Sequence, residues 1–246
     1  MSLPVHLVPT LSGVTEGSLV EVTGDEAHHA VAVRRLAVGE QVVLTDGSGV
    51  SVTGEVESTG KRVFEVRVGS VEVAGQASPR IVVVQAIPKG ERGELAVEVL
   101  TEIGVAEIVP WAASRSVAVW RGERAVKSHG KWVSTAREAA KQARRSWFPL
   151  VPPMATTAQV VGLIRDADLA VVLHEEGPAS FSSLKVPAAG TIVVVVGPEG
   201  GISPDELAAF AEAGVQGVKL GDEVLRTSTA GVAAVAALLS RTDRWA

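Results

Sequence analysis

Two loops in this chain have the residue types and setting of a ligand site. The first is Gly197-Pro198-Glu199-Gly200-Gly201-Ile202-Ser203, directly after the apolar run TIVVVV (residues 191–196). Such a run suits a strand buried on both faces, and ligands of open α/β sheets bind at the carboxyl ends of strands. Glycines there let the backbone approach a flat ligand. The loop has neither the G-x-G-x-x-G spacing nor a Gly-Lys-Ser/Thr ending, so it does not read as a phosphate cradle. The plainer alternative to a ligand loop is a tight strand-to-helix turn. The second loop, Leu220-Gly221-Asp222-Glu223-Val224-Leu225-Arg226-Thr227-Ser228-Thr229-Ala230, has the same strand-to-helix setting. Arg226 brings a fixed positive charge with five donors. On the plainer reading Thr227 to Thr229 cap a helix and Arg226 pairs with a surface acid. A third loop, Leu173-His174-Glu175-Glu176-Gly177, ends another apolar run; a lone histidine there is more often structural than catalytic.

The elements that must hold these loops are legible from residue 80 onward. Residues 81–87 (IVVVQAI), 106–111, 169–174, 191–196 and 215–220 read as strands. Residues 93–103 form an amphipathic helix with Glu94, Glu98 and Glu102 in an i, i+4 row, and Gly104 stops it. A helix is expected over 121–145, with a possible break at Gly130, and others over 159–166 and 228–240. Ser203-Pro204-Asp205-Glu206 opens a further helix with a capping box and Pro at N1, and this helix ends before Gly214. Strands alternating with helices imply a mostly parallel sheet covered on both faces, an α/β fold.

The chain before residue 74 has another texture. Short Val-rich runs at 18–22, 41–45, 50–56 and 63–73 alternate with Gly, Asp and Ser turns, and Asp46-Gly47 with Ser48-Gly49 marks a hairpin. A helix over 26–36 with Asp25 as N-cap interrupts them. The expected plan is a small β-barrel over 1–73, a linker at 74–79 (AGQASP), and the α/β domain over 80–246.

Composition narrows the function. The 246 residues are 46% apolar and 21% charged, which excludes a wholly disordered chain. There is no Cys, which excludes thiolate zinc sites and cysteine nucleophiles, and aromatics are only 4%. No run reaches the roughly 18 apolar residues of a membrane span, and the N-terminus lacks a cationic head before an apolar run. A soluble, cytoplasmic protein is expected. The net charge of -5 hides an asymmetry: residues 115–145 carry nine Lys/Arg and only Glu123 and Glu138 as acids. Such a segment can steer toward a polyanion within about 8–10 Å of the surface, or can be a solvated helix face. Arg137, Lys141 and Arg144 recur at i, i+4, i+7 and would form one exposed stripe.

The spaced set GPEGGIS, LG and VLRTSTA resembles the C-terminal signature of the SPOUT methyltransferases. Within them the chain is similar to the RsmE family, the 16S rRNA (uracil-N3)-methyltransferases. The likeness includes His28-His29 with Val33-Arg34-Arg35 and Gly39, and Asp46-Gly47. It continues through Lys89-Gly90, Thr101-Glu102-Ile103-Gly104-Val105, Ser114-Arg115-Ser116, and Arg137-Glu138-Ala139 to Gln142 and Arg145. One departure is Ser228, where the family often has Glu. The resemblance implies a PUA-like barrel, an α/β domain with a deep trefoil knot, a homodimer, and S-adenosylmethionine (SAM) as cofactor. It implies that Leu173, Gly197, Gly201, Leu220 and Leu225 line the adenosine site, joined by Gly200 and Ile202. The same loops add His174, Glu199, Gly221, Thr227, Thr229 and Ala230 as cofactor-binding candidates.

A methyl sulfonium is already an electrophile, so no metal is called for. Uracil N3 is a poor nucleophile while protonated, and a fixed cation near O2 or O4 would stabilise the developing anion. Arg226 is the catalytic candidate; the general base stays open between Glu199, His174 and neither. RNA-binding candidates are Arg34, Arg35, Lys89, Arg115, Arg137, Lys141, Arg144 and Arg145, gripping small-subunit rRNA through phosphates. N3 lies on the pairing edge, so the base must be unpaired or flipped. The alternatives are a knotted methyltransferase with another target atom, a non-enzymatic RNA-binding protein, and a small-molecule α/β enzyme with an incidental basic stripe.

Overall fold

The computed structural model describes residues 3–245; Met1, Ser2 and Ala246, at the ends of the expected domains, lie outside it. The chain forms two compact units, Met1–Gln76 with Lys141–Phe148, and Ala77–Ala140 with Pro149–Ala246.

The first unit holds strands β1 (Val5–Leu7), β2 (Leu19–Thr23), β3 (Gln41–Thr45), β4 (Val50–Thr59) and β5 (Val63–Val73). They form one mixed sheet in the order β1-β3-β4-β5-β2, with β1 parallel to β3 and the other pairs antiparallel. In β4, Val52, Gly54 and Val56 alternate inward onto Val22, Leu44, Phe64 and Val66. A half-barrel results, with β1 and β2 as edges. The hairpin at 46–49 forms as expected: Asp46 Oδ1 accepts from the N–H groups of Ser48 (2.8 Å) and Val50 (3.2 Å).

The expected helix over 26–36 is not one α-helix. Helix α1 (Gly24–His28) runs into a π-helical turn, His29–Val33. Asp25 does not cap it: Thr23 is the N-cap, without a side-chain bond, and Asp25 instead pairs with Arg62 at 2.5 Å. Residues 141–148 join this unit because they have partners here. Trp147 donates its ring N–H to the Ala74 carbonyl (2.7 Å) and lies against Gly49, where a side chain would collide with its ring.

In the second unit, β6 (Arg80–Ala86) leads to α2 (Arg92–Glu102), β7 (Glu107–Trp111) and α3 (Gly122–Gln142). After residue 148 come α4 (Thr157–Arg165), β8 (Leu169–Leu173), β9 (Ala179–Ser180), a 3-10 turn (Phe181–Ser183) and β10 (Thr191–Val196). The chain closes with α5 (Pro204–Glu212), β11 (Gly217–Lys219) and α6 (Thr227–Leu239). Six strands form a wholly parallel sheet in the order β7-β6-β10-β8-β11-β9. Both faces are covered. Ile81, Val83, Ile192 and Val194 point into a core closed by α2 and α6, while Val82, Val84, Val193 and Val195 meet Ile164 and Phe210 on the other face.

Helix α5 begins as its sequence requires: the Ser203 hydroxyl accepts from the Glu206 N–H, and the Glu206 carboxylate accepts from the Ser203 N–H. Helix α3 is unbroken at Gly130 and ends at Gln142, three residues short of expectation. Arg144 follows with φ 54°, outside the helical region, so the chain has already turned.

Candidate active site at the strand ends

The carboxyl ends of β8, β10 and β11 open onto one cavity of about 730 Å³ in the second unit. Leu173 and His174 enter from β8, residues 197–202 from β10, and 218–226 from β11; Thr227 and Ala230 close it from α6. Val196, Ile202, Val218 and Leu225 give it apolar walls, and the first three are buried. The size lies within the roughly 300–1,000 Å³ of small-molecule sites.

The β10 loop cannot carry larger residues. A Cβ on Gly200 would stand 2.9 Å from the Arg115 carbonyl oxygen, and one on Gly197 would stand 2.8 Å from Ile202 Cγ1. Gly201 has φ 74°, a left-handed conformation that favours glycine. The opposite side of this loop is pinned by Glu206. Its carboxylate accepts from the Ser114 N–H (2.8 Å), the Ser114 hydroxyl (3.0 Å), the Ser203 N–H and hydroxyl (both 3.0 Å) and the Thr157 hydroxyl (3.3 Å). Burial opposes the charge, but the donors from Ser114 and Ser203 outweigh it and hold the carboxyl below its ordinary range. One carboxylate therefore fixes both the capped end of α5 and the 112–116 loop, from which Arg115 reaches the Gly200 carbonyl (3.4 Å).

Helix α6 starts without a side-chain cap; Arg226 is its N-cap residue, and neither Asp nor Glu stands in its first turn. The N-terminal end of the helix therefore adds its own positive field to the exposed Arg226 guanidinium. Beneath it Gln85, at the end of β6, donates to the Thr227 carbonyl (3.3 Å) while its Oε1, fully buried, has no partner among the described residues. Across the cavity, His174 Nδ1 accepts from the Glu176 N–H (3.2 Å). Asp222 is engaged by Lys219 (2.8 Å), whose hydrogen bond and charge hold its carboxyl below the ordinary range.

A smaller cavity of about 370 Å³ lies beside the first, lined by Lys89, Gly90, Arg92, Val117 and Glu199. Arg92 and Glu199 belong to the walls of both. Glu199 Oε1 accepts from the Lys89 N–H (3.1 Å), tying the loop after β10 to the loop after β6.

The structure thus brings together Leu173, His174, Gly197, Glu199, Gly200, Gly201, Ile202, Leu220, Gly221, Leu225, Arg226, Thr227 and Ala230. Thr229 is not in the wall; its hydroxyl donates back to the Arg226 carbonyl within the first turn. Ser228 is buried in that turn. Arg115 and Lys89, expected on RNA, line the two cavities.

The expected basic stripe is broken. Lys141 is mostly buried and bonds both oxygens of Glu26 (3.2 and 3.1 Å), whose carboxylate also meets His6 Nδ1 (3.1 Å). Burial alone would raise Glu26, but the His6 hydrogen bond and the Lys141 charge hold its carboxyl at about 2. Arg145 is half-buried and not free. Arg137 is exposed and pairs with its neighbour Glu138 (3.3 Å); Arg144 is exposed beyond the helix. Arg34 and Arg35 are exposed, Arg35 with φ 59°.

Sequence reasoning missed Arg92, Gln85 and the pinning role of Glu206. Arg92 was within reach, because the strand-end rule that singled out the loops after β8, β10 and β11 applies equally to β6. Among the described residues no cluster of His, Asp or Glu is suited to a metal, and no helix is long and apolar enough to cross a membrane.

Two family models match the chain: the RNA methyltransferase PUA domain over residues 22–69 and the RNA methyltransferase domain over residues 76–239. The ribosomal RNA small subunit methyltransferase E of Mycobacterium tuberculosis is 42% identical over 233 residues, covering 93% of this chain and 89% of its own. The Bacillus subtilis protein of the same name is 28% identical over 95% of this chain and 94% of its own. Among solved structures, that of the Neisseria gonorrhoeae methyltransferase E bound to S-adenosyl methionine is 27% identical, with a TM-score of 0.87 over 98% of each chain. A Legionella pneumophila protein in complex with SAM is 28% identical, with a TM-score of 0.89 over 98% of this chain and 99% of that one. With the methyltransferase model covering most of its length and relatives aligned nearly end to end, this chain belongs to the ribosomal RNA small subunit methyltransferase E family.

Proposed function

We propose that this rRNA methyltransferase uses SAM to methylate N3 of a uridine in 16S rRNA, working as a homodimer whose α/β domain carries a deep trefoil knot. The observation that carries the reading is the larger cavity. It joins apolar walls, close-approach glycines and a fixed cation at the ends of three parallel strands. A Cβ at Gly197 or Gly200 would press on Ile202 or on the Arg115 backbone and distort the cradle, so the residues present fit a flat adenosine against bare backbone. Bound there, SAM supplies a methyl group already activated on a sulfonium.

The chain supplies the rest. Leu173, Gly197, Gly200, Gly201, Ile202, Leu220 and Leu225 hold the adenosine and exclude water, with His174, Glu199, Gly221, Thr227 and Ala230 completing the wall. Arg226, reinforced by the uncapped start of α6, stabilises negative charge on the uracil oxygens as N3 loses its proton. Arg34, Arg35, Arg137 and Arg144 are the exposed cations left for phosphates once Lys141 and Arg145 are engaged. The supporting comparison is the name shared by end-to-end relatives; the choice of uracil N3 rests on the resemblance in sequence and on the chemistry an arginine can do.

The test is product identity. Purified protein, methyl-labelled SAM and small subunits lacking the modification are incubated, and the digested nucleosides are resolved by mass spectrometry. Label in 3-methyluridine is expected. Label in another nucleoside would reassign the target atom, and no label in any nucleoside would discard the reaction.

A further inference from the structure

The larger cavity accounts for one ligand, yet methyl transfer needs two. The smaller cavity beside it is unassigned by that reading, and its wall chemistry is specific. Lys89 and Arg92 are exposed cations from the loop after β6 and the first turn of α2, Val117 is apolar, and Glu199 is the one acid. The Arg92 guanidinium has no hydrogen-bond or ion-pair partner among the described residues. Two cations against one anion suit a phosphate, and a volume of about 370 Å³ lies at the lower end of the small-ligand range.

The junction is the informative part. Arg92 and Glu199 are shared by both walls, so a group entering the smaller cavity meets the larger one past these two side chains. Of the acids at the larger cavity, Glu175, Glu176, Asp222 and Glu223 do not reach the smaller one, and Asp222 is held by Lys219. His174 is excluded as a proton acceptor by its own hydrogen bond. Its Nδ1 accepts a backbone N–H, so the neutral ring carries its proton on Nε2, which can only donate. Glu199 has the opposite arrangement. Oε1 is fixed by the Lys89 N–H, which orients the carboxylate, and Oε2 has no partner among the described residues.

We infer that the smaller cavity seats the target nucleotide, with Arg92 on its phosphate and Glu199 Oε2 accepting the N3 proton. The inference rests on the proposed reaction. As N3–H breaks, the proton passes to Glu199 Oε2 and the freed pair on N3 forms the bond to the methyl carbon. The pair of the broken S–CH3 bond returns to sulfur, leaving a neutral thioether, and the carboxylic acid then loses its proton to water. No further reactant is needed.

The test uses the full-length protein with Glu199→Gln, Arg92→Ala and Arg92→Lys. Calorimetry gives SAM affinity, filter binding gives cofactor-free affinity for unmodified small subunits, and single turnover gives the transfer rate. Glu199→Gln is expected to slow transfer at saturating SAM about 100- to 1,000-fold, a loss well beyond any change in SAM affinity. Its deficit should shrink as pH rises toward ionisation of the imide, and in subunits carrying 5-fluorouridine, whose N3 proton is more acidic. Arg92→Ala should weaken cofactor-free subunit binding about ten-fold, more than it weakens SAM binding, and Arg92→Lys should recover part of that. A near-normal rate in Glu199→Gln, a deficit insensitive to pH and to fluorination, or a loss of SAM binding in its place would overturn the assignment. So would unchanged subunit affinity in Arg92→Ala. If the wild-type protein labels a nucleoside other than 3-methyluridine, the proposed reaction falls, and the N3 step with it. Failure of the variants alone leaves the reaction standing.

Discussion

At the scale of single residues the site depends on what is missing as much as on what is present. Gly200 has no Cβ where one would stand 2.9 Å from a backbone oxygen, and backbone cannot swing aside as a side chain tip can. Gly200→Ala should therefore weaken SAM binding at least about ten-fold by calorimetry, while thermal stability moves little, since the loop is exposed. Arg226→Ala should do the reverse. If its charge stabilises the uracil anion as proposed, transfer should fall about 100- to 1,000-fold with SAM affinity nearly unchanged. The place of both at the cavity was legible in the sequence, because they stand in loops directly after apolar strand-forming runs, where open α/β sheets bind ligands. That of Gln85 was not: within IVVVQAI it is one polar letter in a strand, and its meaning depends on the Thr227 carbonyl 142 positions away.

At the scale of elements, α5 and its supports are the best-specified part of the molecule. Glu206 was legible as half of a capping box, from a spacing of three residues. Its second task, holding Ser114 and Thr157, depends on contacts distant in sequence and so was not. Every group facing it is a donor, so an amide would turn an NH2 toward N–H and O–H groups. Glu206→Gln should cost about 1–3 kcal/mol, or a Tm drop of roughly 2–12 °C. The depressed carboxyl also fixes a pH dependence. Its contribution is present above the ordinary value of 4.5 and is lost as pH falls through the lower folded value, so the variant should lose part of the wild-type acid sensitivity. Helix α1 shows the opposite case. Its apolar spacing suggested one helix over 26–36, but the backbone widens into a π turn at His29, a change of hydrogen-bond pattern that spacing does not encode.

At the scale of the whole molecule, the basic segment divides into structural and free charge. A run of Lys and Arg at helical spacing cannot show which members find a carboxylate, and the acid that claims Lys141 lies 115 positions earlier. Removing Arg34 or Arg137 should lower the slope of log affinity against log salt for small-subunit binding by about one each. Lys141→Ala should instead strip Glu26 of its main positive neighbour. In the wild type, the stability from Glu26 is complete above 4.5 and disappears as pH falls toward about 2; the variant should lose it at higher pH, measured by melting from pH 7 to 3. If the dimer forms, light scattering should give twice the 25.4 kDa chain mass. The division of texture at residues 74–80 was visible in the sequence. The return of residues 141–148 to the first unit was not, because a tryptophan ring on the Ala74 carbonyl leaves no periodic trace.

The bond from the Lys89 N–H to Glu199 Oε1 fastens the loop after β6, at the smaller cavity, to the loop after β10, at the larger one. If the two cavities seat the two ligands as inferred, whichever arrives first adds a contact to a carboxylate that Lys89 already orients, and the second finds its own side partly ordered. Linkage makes such help mutual: the factor by which SAM tightens subunit binding must equal the factor by which the subunit tightens SAM binding. On that assignment no order of addition is imposed, because either partner alone would be held less firmly than both together.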